Sequence, residues 1–298
     1  MTIMDKFEFP FWGERKVLND DTRAGLPGDF VELADGVTHY ELGGPENGDV
    51  VVLVHGFSVP YFIWDPTFAA LAAAGFRVLR FDLYGRGYSD RPLKRYDHDL
   101  FDRQLAGLLD ALGFHDPVDL VGLSMGGVVT GTFTRRHPQQ VKKLVLIDPA
   151  GFPLKFSWVF KFAFLPGLGE FLFNLVGTAN LETSMASDFY DPKLIRFFFD
   201  KYRPPMLYKG FKRAILSSLR AGMLDSAIET YRAVGKMNLP VLLFWGREDK
   251  TVPFKFHRDL LDAIPHIEFF PIDKTGHIPH YEKEEEVNPV LIDFLKRP

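Results

Sequence analysis

Apolar residues fall along this chain in two rhythms. Short apolar-rich runs at 50–54, 76–81, 118–122, 141–147 and 240–245 are each followed by small or polar residues. The run at 50–54 is apolar throughout, the pattern of a central parallel strand buried on both faces. Between the runs lie stretches that predict helices at 65–74, 99–112, 128–136, 254–263 and 284–296. Breakers punctuate them: Gly75 and Gly113 follow the first two, and Pro138 follows the third. Two earlier segments, 30–33 and 37–42, flank Asp35-Gly36, a hairpin turn signal. A further short strand is expected at 267–270.

This alternation predicts an α/β fold, a mostly parallel sheet flanked by helices. It stops between Ala150 and Met237. That stretch reads as helical and is rich in aromatics, with Phe152, Phe156, Trp158, Phe160, Phe162, Phe164, Phe171 and Phe173 crowded at its start. The expected organisation is an N-terminal arm over residues 1–28 and an α/β core over 29–150 and 238–298. A helical cap is inserted over 151–237. The aromatics have a plain use as the cap's own core, and some of them are expected to line an apolar slot.

Composition narrows the classes. The 298 residues suit one large domain with an insertion, and the net charge of −4 gives no electrostatic footprint for nucleic acid. With no cysteine, disulfides, thiolate catalysis and Cys-based metal sites are excluded. No run has the length of a membrane span and no signal-peptide core opens the chain, so the expected location is cytoplasmic, without an integral membrane segment. Gly85-x-Gly87 lacks the third glycine of a dinucleotide fingerprint, and no cofactor is expected.

The candidate chemistry centres on Gly122-Leu123-Ser124-Met125-Gly126, a G-x-S-x-G set between a predicted strand and a predicted helix. A turn this tight leaves no room for side chains at Gly122 or Gly126, and it holds Ser124 strained and exposed over a helix N-terminus. A serine hydroxyl is a weak nucleophile and needs a base, which needs an orienting carboxylate. Partners in an open parallel sheet sit beyond the carboxyl ends of strands. His277, in the loop between the last strand and last helix, is the expected base, with His280 its nearest rival. The spacing His277-x-x-His280 has no third ligand cluster, so no metal site is expected. Asp249, after the run ending at Trp245, is the expected acid, and Asp148, ending the preceding strand, is the rival. Asp148 has a plainer use in capping the turn before Pro149. The N–H groups of Phe57, in His55-Gly56-Phe57, and Met125 are the expected oxyanion hole. His55 is read as holding the first loop through its ring.

With these residues in order, the chain resembles the α/β-hydrolase superfamily in its capped serine esterase and lipase-like branch. The resemblance runs from about Phe30 to Phe294 and rests on His55-Gly56-Phe57, Gly122-x-Ser124-x-Gly126, Gly246-x-x-Asp249 and Gly276-His277. It implies the α/β-hydrolase fold and cleavage of a carboxylic ester, with an apolar acyl or aromatic group, through an acyl-enzyme. Ser124 argues against the dehalogenase and epoxide hydrolase branches, which carry aspartate there. Carbon–carbon hydrolases of ring-fission keto acids keep the same three residue types, and Trp64 suggests them. That branch usually has a tryptophan just after the histidine, where this chain reads His277-Ile278-Pro279-His280. Haloperoxidase-like members share the set. A slow-turnover small-molecule receptor is the reading from outside catalysis.

Overall fold

The structure, a computed structural model, describes residues 9–153 and 164–298. Among the described residues the strands are β1 (Asp29–Leu33), β2 (Gly36–Gly43), β3 (Val50–Val54), β4 (Arg77–Phe81), β5 (Val118–Leu123), β6 (Val141–Ile147), β7 (Val241–Gly246) and β8 (Glu268–Ile272). The α-helices, numbered along the chain, are α1 (Asp20–Arg23), α2 (Asp65–Ala73), α3 (His98–Ala111), α4 (Met125–Arg136), α5 (Leu168–Leu172), α6 (Thr178–Ser187), α7 (Ile195–Tyr202), α8 (Phe211–Arg220), α9 (Ile228–Val234), α10 (His257–Ala263), α11 (Pro279–Glu282) and α12 (Glu284–Lys296).

The strands form one eight-stranded sheet in the order β1-β2-β4-β3-β5-β6-β7-β8. The hairpin of β1 and β2 closes with Leu33 opposite Gly36, and β2 meets β4 antiparallel. From β4 through β8 every pairing is parallel. Helices α3, α4, α9 and α10 cover one face, where Leu105, Phe133, Tyr231 and Leu260 pack with Val52, Leu120, Leu144 and Leu243. On the other, α2 and α12 bring Leu71, Leu291, Phe294 and Leu295 against Val51, Leu53, Val121 and Leu242. Alternate residues of β3 therefore enter different cores, which is why its sequence has no polar side. Each such side chain contributes roughly 1.5–3 kcal/mol on burial. Together these features are the α/β-hydrolase fold.

Local chemistry sets the boundaries. Asp97 caps α3, its side chain accepting from Leu100 N at 3.1 Å, and Gly113 follows its end in the left-handed region. Most boundaries fall within two residues of the expected limits, and three features differ more. Helix α4 begins at Met125 rather than at 128, because Gly126 and Gly127 are poor helix formers but are packed against β3 and Pro149. The helix expected at 254–263 opens with a 3₁₀ turn over Phe254–Phe256. His280 lies in the separate turn α11 rather than at the start of the closing helix.

From α5 to α8 the chain is helical, with one π-helical turn over Phe173–Gly177 joining α5 to α6. The described part of the arm runs along these helices. Lys16 bridges to Tyr208, and the Glu14 carboxylate accepts from Gly210 N and Lys212 N at 2.7 and 2.6 Å, capping α8. No helix among the described residues is long and apolar enough to cross a membrane.

Candidate active site

The loops after β3, β5, β6, β7 and β8 meet at the carboxyl edge of the sheet. Among the described residues three non-glycine residues have clearly left-handed φ: Ser124 (53°), Asp148 (41°) and Lys274 (55°). They follow β5, β6 and β8. Each such conformation costs on the order of 1–3 kcal/mol and persists only where surroundings enforce it.

Ser124 is held by three backbone hydrogen bonds. Its N–H donates to Ile147 O at 3.0 Å, and its carbonyl accepts from Gly127 N and Ala150 N at 2.9 and 3.0 Å. The elbow is packed to backbone contact. A Cβ on Gly122 would sit 2.5 Å from Gly126 O, and one on Gly126 would sit 2.2 Å from Val54 O. The loop after β3 lies against the serine, since a Cβ on Gly56 would be 3.4 Å from Ser124 Cβ. Phe57 is on that loop, and Met125 opens α4, where first-turn N–H groups lack intrahelical acceptors.

The first loop is itself tied down. His55 uses both ring nitrogens, Nδ1 against Gly56 O at 2.9 Å and Nε2 accepting from Leu83 N at 2.9 Å. Burial is the main reason its pKa falls to about 4, so the ring is neutral. Asp82, buried at the end of β4, accepts from His39 Nδ1, Tyr61 N and Tyr88 N at 2.8–2.9 Å. Burial alone would raise its pKa, but the His39 hydrogen bond and charge hold it below the usual carboxylate range. The Arg86 side chain donates to Phe57 O at 2.8 Å and to Ser218 Oγ of α8 at 2.8 Å, joining the first loop to the helical segment.

His277 Nδ1 and Asp249 Oδ2 are 2.7 Å apart, both buried. The other Asp249 oxygen accepts from Thr251 N and Val252 N at 2.8 and 2.9 Å. This leaves Nε2 as the imidazole nitrogen not engaged by the carboxylate. Burial would lower the pKa of His277, but the Asp249 charge, the bond to it and the Asp188 charge outweigh this and raise it to about 9. Asp148 is completely buried. Its Oδ1 accepts from Gly246 N at 2.9 Å, so it reaches across to β7 rather than capping its own turn. Single oxygens of Asp148 and Asp249 and a ring nitrogen of His277 all lie within 4.8 Å of one another. His280 is outside this cluster. It packs on Trp64 with ring centroids 4.4 Å apart, and burial first, then the His277 charge, lowers its pKa to about 3.

Asp188, just past α6, escapes sequence reasoning. Its carbonyl accepts from His277 N at 2.7 Å, and its carboxylate accepts from Thr251 Oγ1. A Cβ on Gly276 would meet that carbonyl at 2.0 Å, so glycine there permits the contact. Burial raises the Asp188 pKa to about 6 against the lowering effects of His277 and Thr251. The only local hint is an acid after a helix. Arg86 is equally hidden in Gly85-Arg86-Gly87, whose glycines read only as an incomplete fingerprint.

A cavity of about 400 Å³ connects these groups. Ser124, His277, Thr251 and Asp188 supply polar atoms, and Phe57, Val59, Leu172, Phe173, Val176, Leu181, Met185, Ile215 and Leu219 supply apolar walls. Neither Lys nor Arg lines it among the described residues. Of the aromatics singled out in the sequence, Phe173 lines the cavity and Phe152 stacks on Phe256 in the core. Phe164 and Phe171 are about half exposed, and Phe156, Trp158, Phe160 and Phe162 lie outside the described residues. Trp64 is buried and does not line the cavity.

Residues 51–290 match the profile of the Alpha/beta hydrolase family. The chain is 28% identical over 277 residues to a 2-hydroxy-6-oxo-6-phenylhexa-2,4-dienoate hydrolase of Comamonas testosteroni, spanning 89% of this chain and 93% of that one. It is 26% identical over 279 residues to the AB hydrolase superfamily protein YisY of Bacillus subtilis, spanning 90% and 98%. Among solved structures, a thermophilic esterase from Thermogutta terrifontis is similar in fold, with a TM-score of 0.76, 23% identity and coverage of 90% and 98%.

Proposed function

The chain belongs to the alpha/beta hydrolase family, and on that premise we propose that it cleaves carboxylic esters of apolar acyl or aromatic groups through an acyl-enzyme. Ser124 attacks the ester carbonyl while His277 Nε2 takes its proton and then returns it to the leaving alcohol. Asp249 fixes the tautomer and faces the imidazolium as it forms. The Phe57 and Met125 amides hold the oxyanion, an interaction worth about 2.7–4 kcal/mol of barrier per donor. Water then repeats the cycle on the acyl group. In this reading residues 151–237 are the cap that holds the acyl chain, over a core formed by 29–150 and 238–298.

The observation that carries the proposal is the 2.7 Å bond from His277 to Asp249 beside a mainly apolar cavity that also reaches Ser124. A second reading, hydrolysis of a carbon–carbon bond in a ring-fission keto acid, is favoured by the name of the Comamonas relative. Against it, such a substrate carries a carboxylate. The described cavity residues offer no Lys or Arg to pair with one, and they include Asp188.

Hydrolysis of p-nitrophenyl esters from acetate to palmitate tests the proposal. Release is expected to peak at medium chain lengths and to vanish in Ser124→Ala. Because His277 must be neutral to act as base and its pKa is raised, kcat/KM is expected to climb with pH. Its acid limb should lie on the alkaline side of an ordinary imidazole. Near-wild-type turnover by Ser124→Ala rules the mechanism out. Slow ester turnover alongside fast cleavage of a ring-fission dienoate transfers the assignment to the second reading.

A further inference from the structure

Two carboxyl groups approach one imidazole here, and the mechanism above uses only one of them. Asp148 leaves β6 with φ at 41°, and its N–H donates to Phe244 O at 3.0 Å. That strained backbone turns the side chain toward β7, where Oδ1 accepts from Gly246 N. Its Oδ2 is buried and has no hydrogen-bond partner among the described residues. Two buried carboxylates with oxygens within 4.8 Å of each other favour holding one proton between them over both being charged. Asp249 accepts from two backbone N–H groups and is bonded to His277, whereas Asp148 accepts from one N–H. The proton therefore belongs to Asp148. Burial and the neighbouring Asp249 charge hold its pKa well above the carboxylate range.

We propose that Asp148 is a second acid of this site: protonated beside Asp249 in the intact chain, it pairs with His277 when Asp249 is removed. The inference rests on the reading of His277 as the catalytic base. The proton balance is simple. Once the Asp249 charge is gone, Asp148 releases its proton to solvent, and its carboxylate accepts the Nδ1–H of His277. The reach is short, because an oxygen of Asp148 lies within 4.8 Å of the ring nitrogen in the cluster. Asp148 is thus a positioning residue that acts through Asp249 and His277 and does not touch the substrate.

The test is a double-mutant cycle on kcat/KM for a p-nitrophenyl ester, using Asp148→Asn, Asp249→Ala and the double variant, with melting curves for each. A triad histidine stripped of its acid loses about 10⁴-fold. The double variant is expected to show that loss in full. Asp148→Asn is expected to cost about 100-fold more in the Asp249→Ala background than in the intact chain. An equal cost in both backgrounds overturns the proposal, since a purely structural residue gives the same factor twice. Should the double variant not fold, proton NMR of Asp249→Ala decides. A far-downfield imidazole N–H signal from His277 is expected to persist, and its loss overturns the proposal. Ser124→Ala in the same assay separates the two claims. If it stays active the mechanism itself fails, whereas if it is inactive while the cycle shows no coupling, only the role of Asp148 fails.

Discussion

Replacing His277 by alanine is expected to lower kcat for the best p-nitrophenyl ester by about 10⁶-fold, the loss seen when a base acts as one unit with its nucleophile. The size follows from the geometry. The Nδ1 side of the ring is bound to Asp249 at 2.7 Å, and the backbone N–H is bound to Asp188 O at 2.7 Å, so ring and loop are both fixed. His280 cannot stand in, because its ring is buried against Trp64 in α11. Removal of the imidazole also leaves Asp249 and Asp188 facing each other as buried carboxyl groups without the nearby cation. Some loss of stability is expected alongside, and melting curves should be read with the kinetics. A residual rate within about 100-fold of wild type would contradict the role given to His277.

The second large effect is on folding. Gly126→Val is expected to remove about 3 kcal/mol or more of stability, because the new side chain meets backbone that cannot move aside. Even its Cβ would stand 2.2 Å from Val54 O and 2.6 Å from His55 O, where the first turn of α4 presses on the end of β3. Moving α4 outward would break the contacts of Val128, Val129 and Phe133 with the core. A loss of that size corresponds to a fall in Tm of roughly 6–12 °C for a large domain. Gly107→Ala in α3 is the control, since its Cβ would make only ordinary contact with Leu33 at 3.8 Å. That substitution is expected to leave Tm unchanged or raise it, because alanine is the better helix former by about 1 kcal/mol. Equal melting temperatures for the two variants would mean that the elbow is not packed as described.

The legible part of the fold is what local pattern controls. Strands β3 and β7 carry apolar residues toward two cores at once, and that double burial is visible in the sequence as unbroken apolar runs. The hairpin of β1 and β2 announces itself through Asp35-Gly36. Strand order is different. The placement of β4 between β2 and β3 depends on crossover connections that leave no local trace. Helix boundaries shifted where packing outweighed propensity, as at Met125, or where a 3₁₀ turn precedes the helix, as at Phe254.

The candidate site divides along the same line. Ser124, His277 and Asp249 sit in short motifs whose glycines report close backbone approach, and the structure brings His277 and Asp249 into contact. It lines one cavity with Ser124 and His277. Asp188 and Arg86 act through partners far along the chain: Asp188 meets Thr251 and His277, and Arg86 meets Ser218. Nothing within a few residues of either predicts those contacts. The relation of Asp148 to Asp249 is likewise a product of β6 and β7 lying side by side, with Leu144 to Ile147 paired to Val241 to Phe244.

Covalent acylation of Ser124 is open to one direct measurement. The intact protein is treated with a fluorophosphonate probe, and the modified peptide is identified by mass spectrometry. One probe per chain is expected, attached to Ser124, with labelling absent in Ser124→Ala and much slower in His277→Ala. Labelling at a different residue, or full ester turnover by protein that Ser124 labelling has left active, would contradict acylation of Ser124.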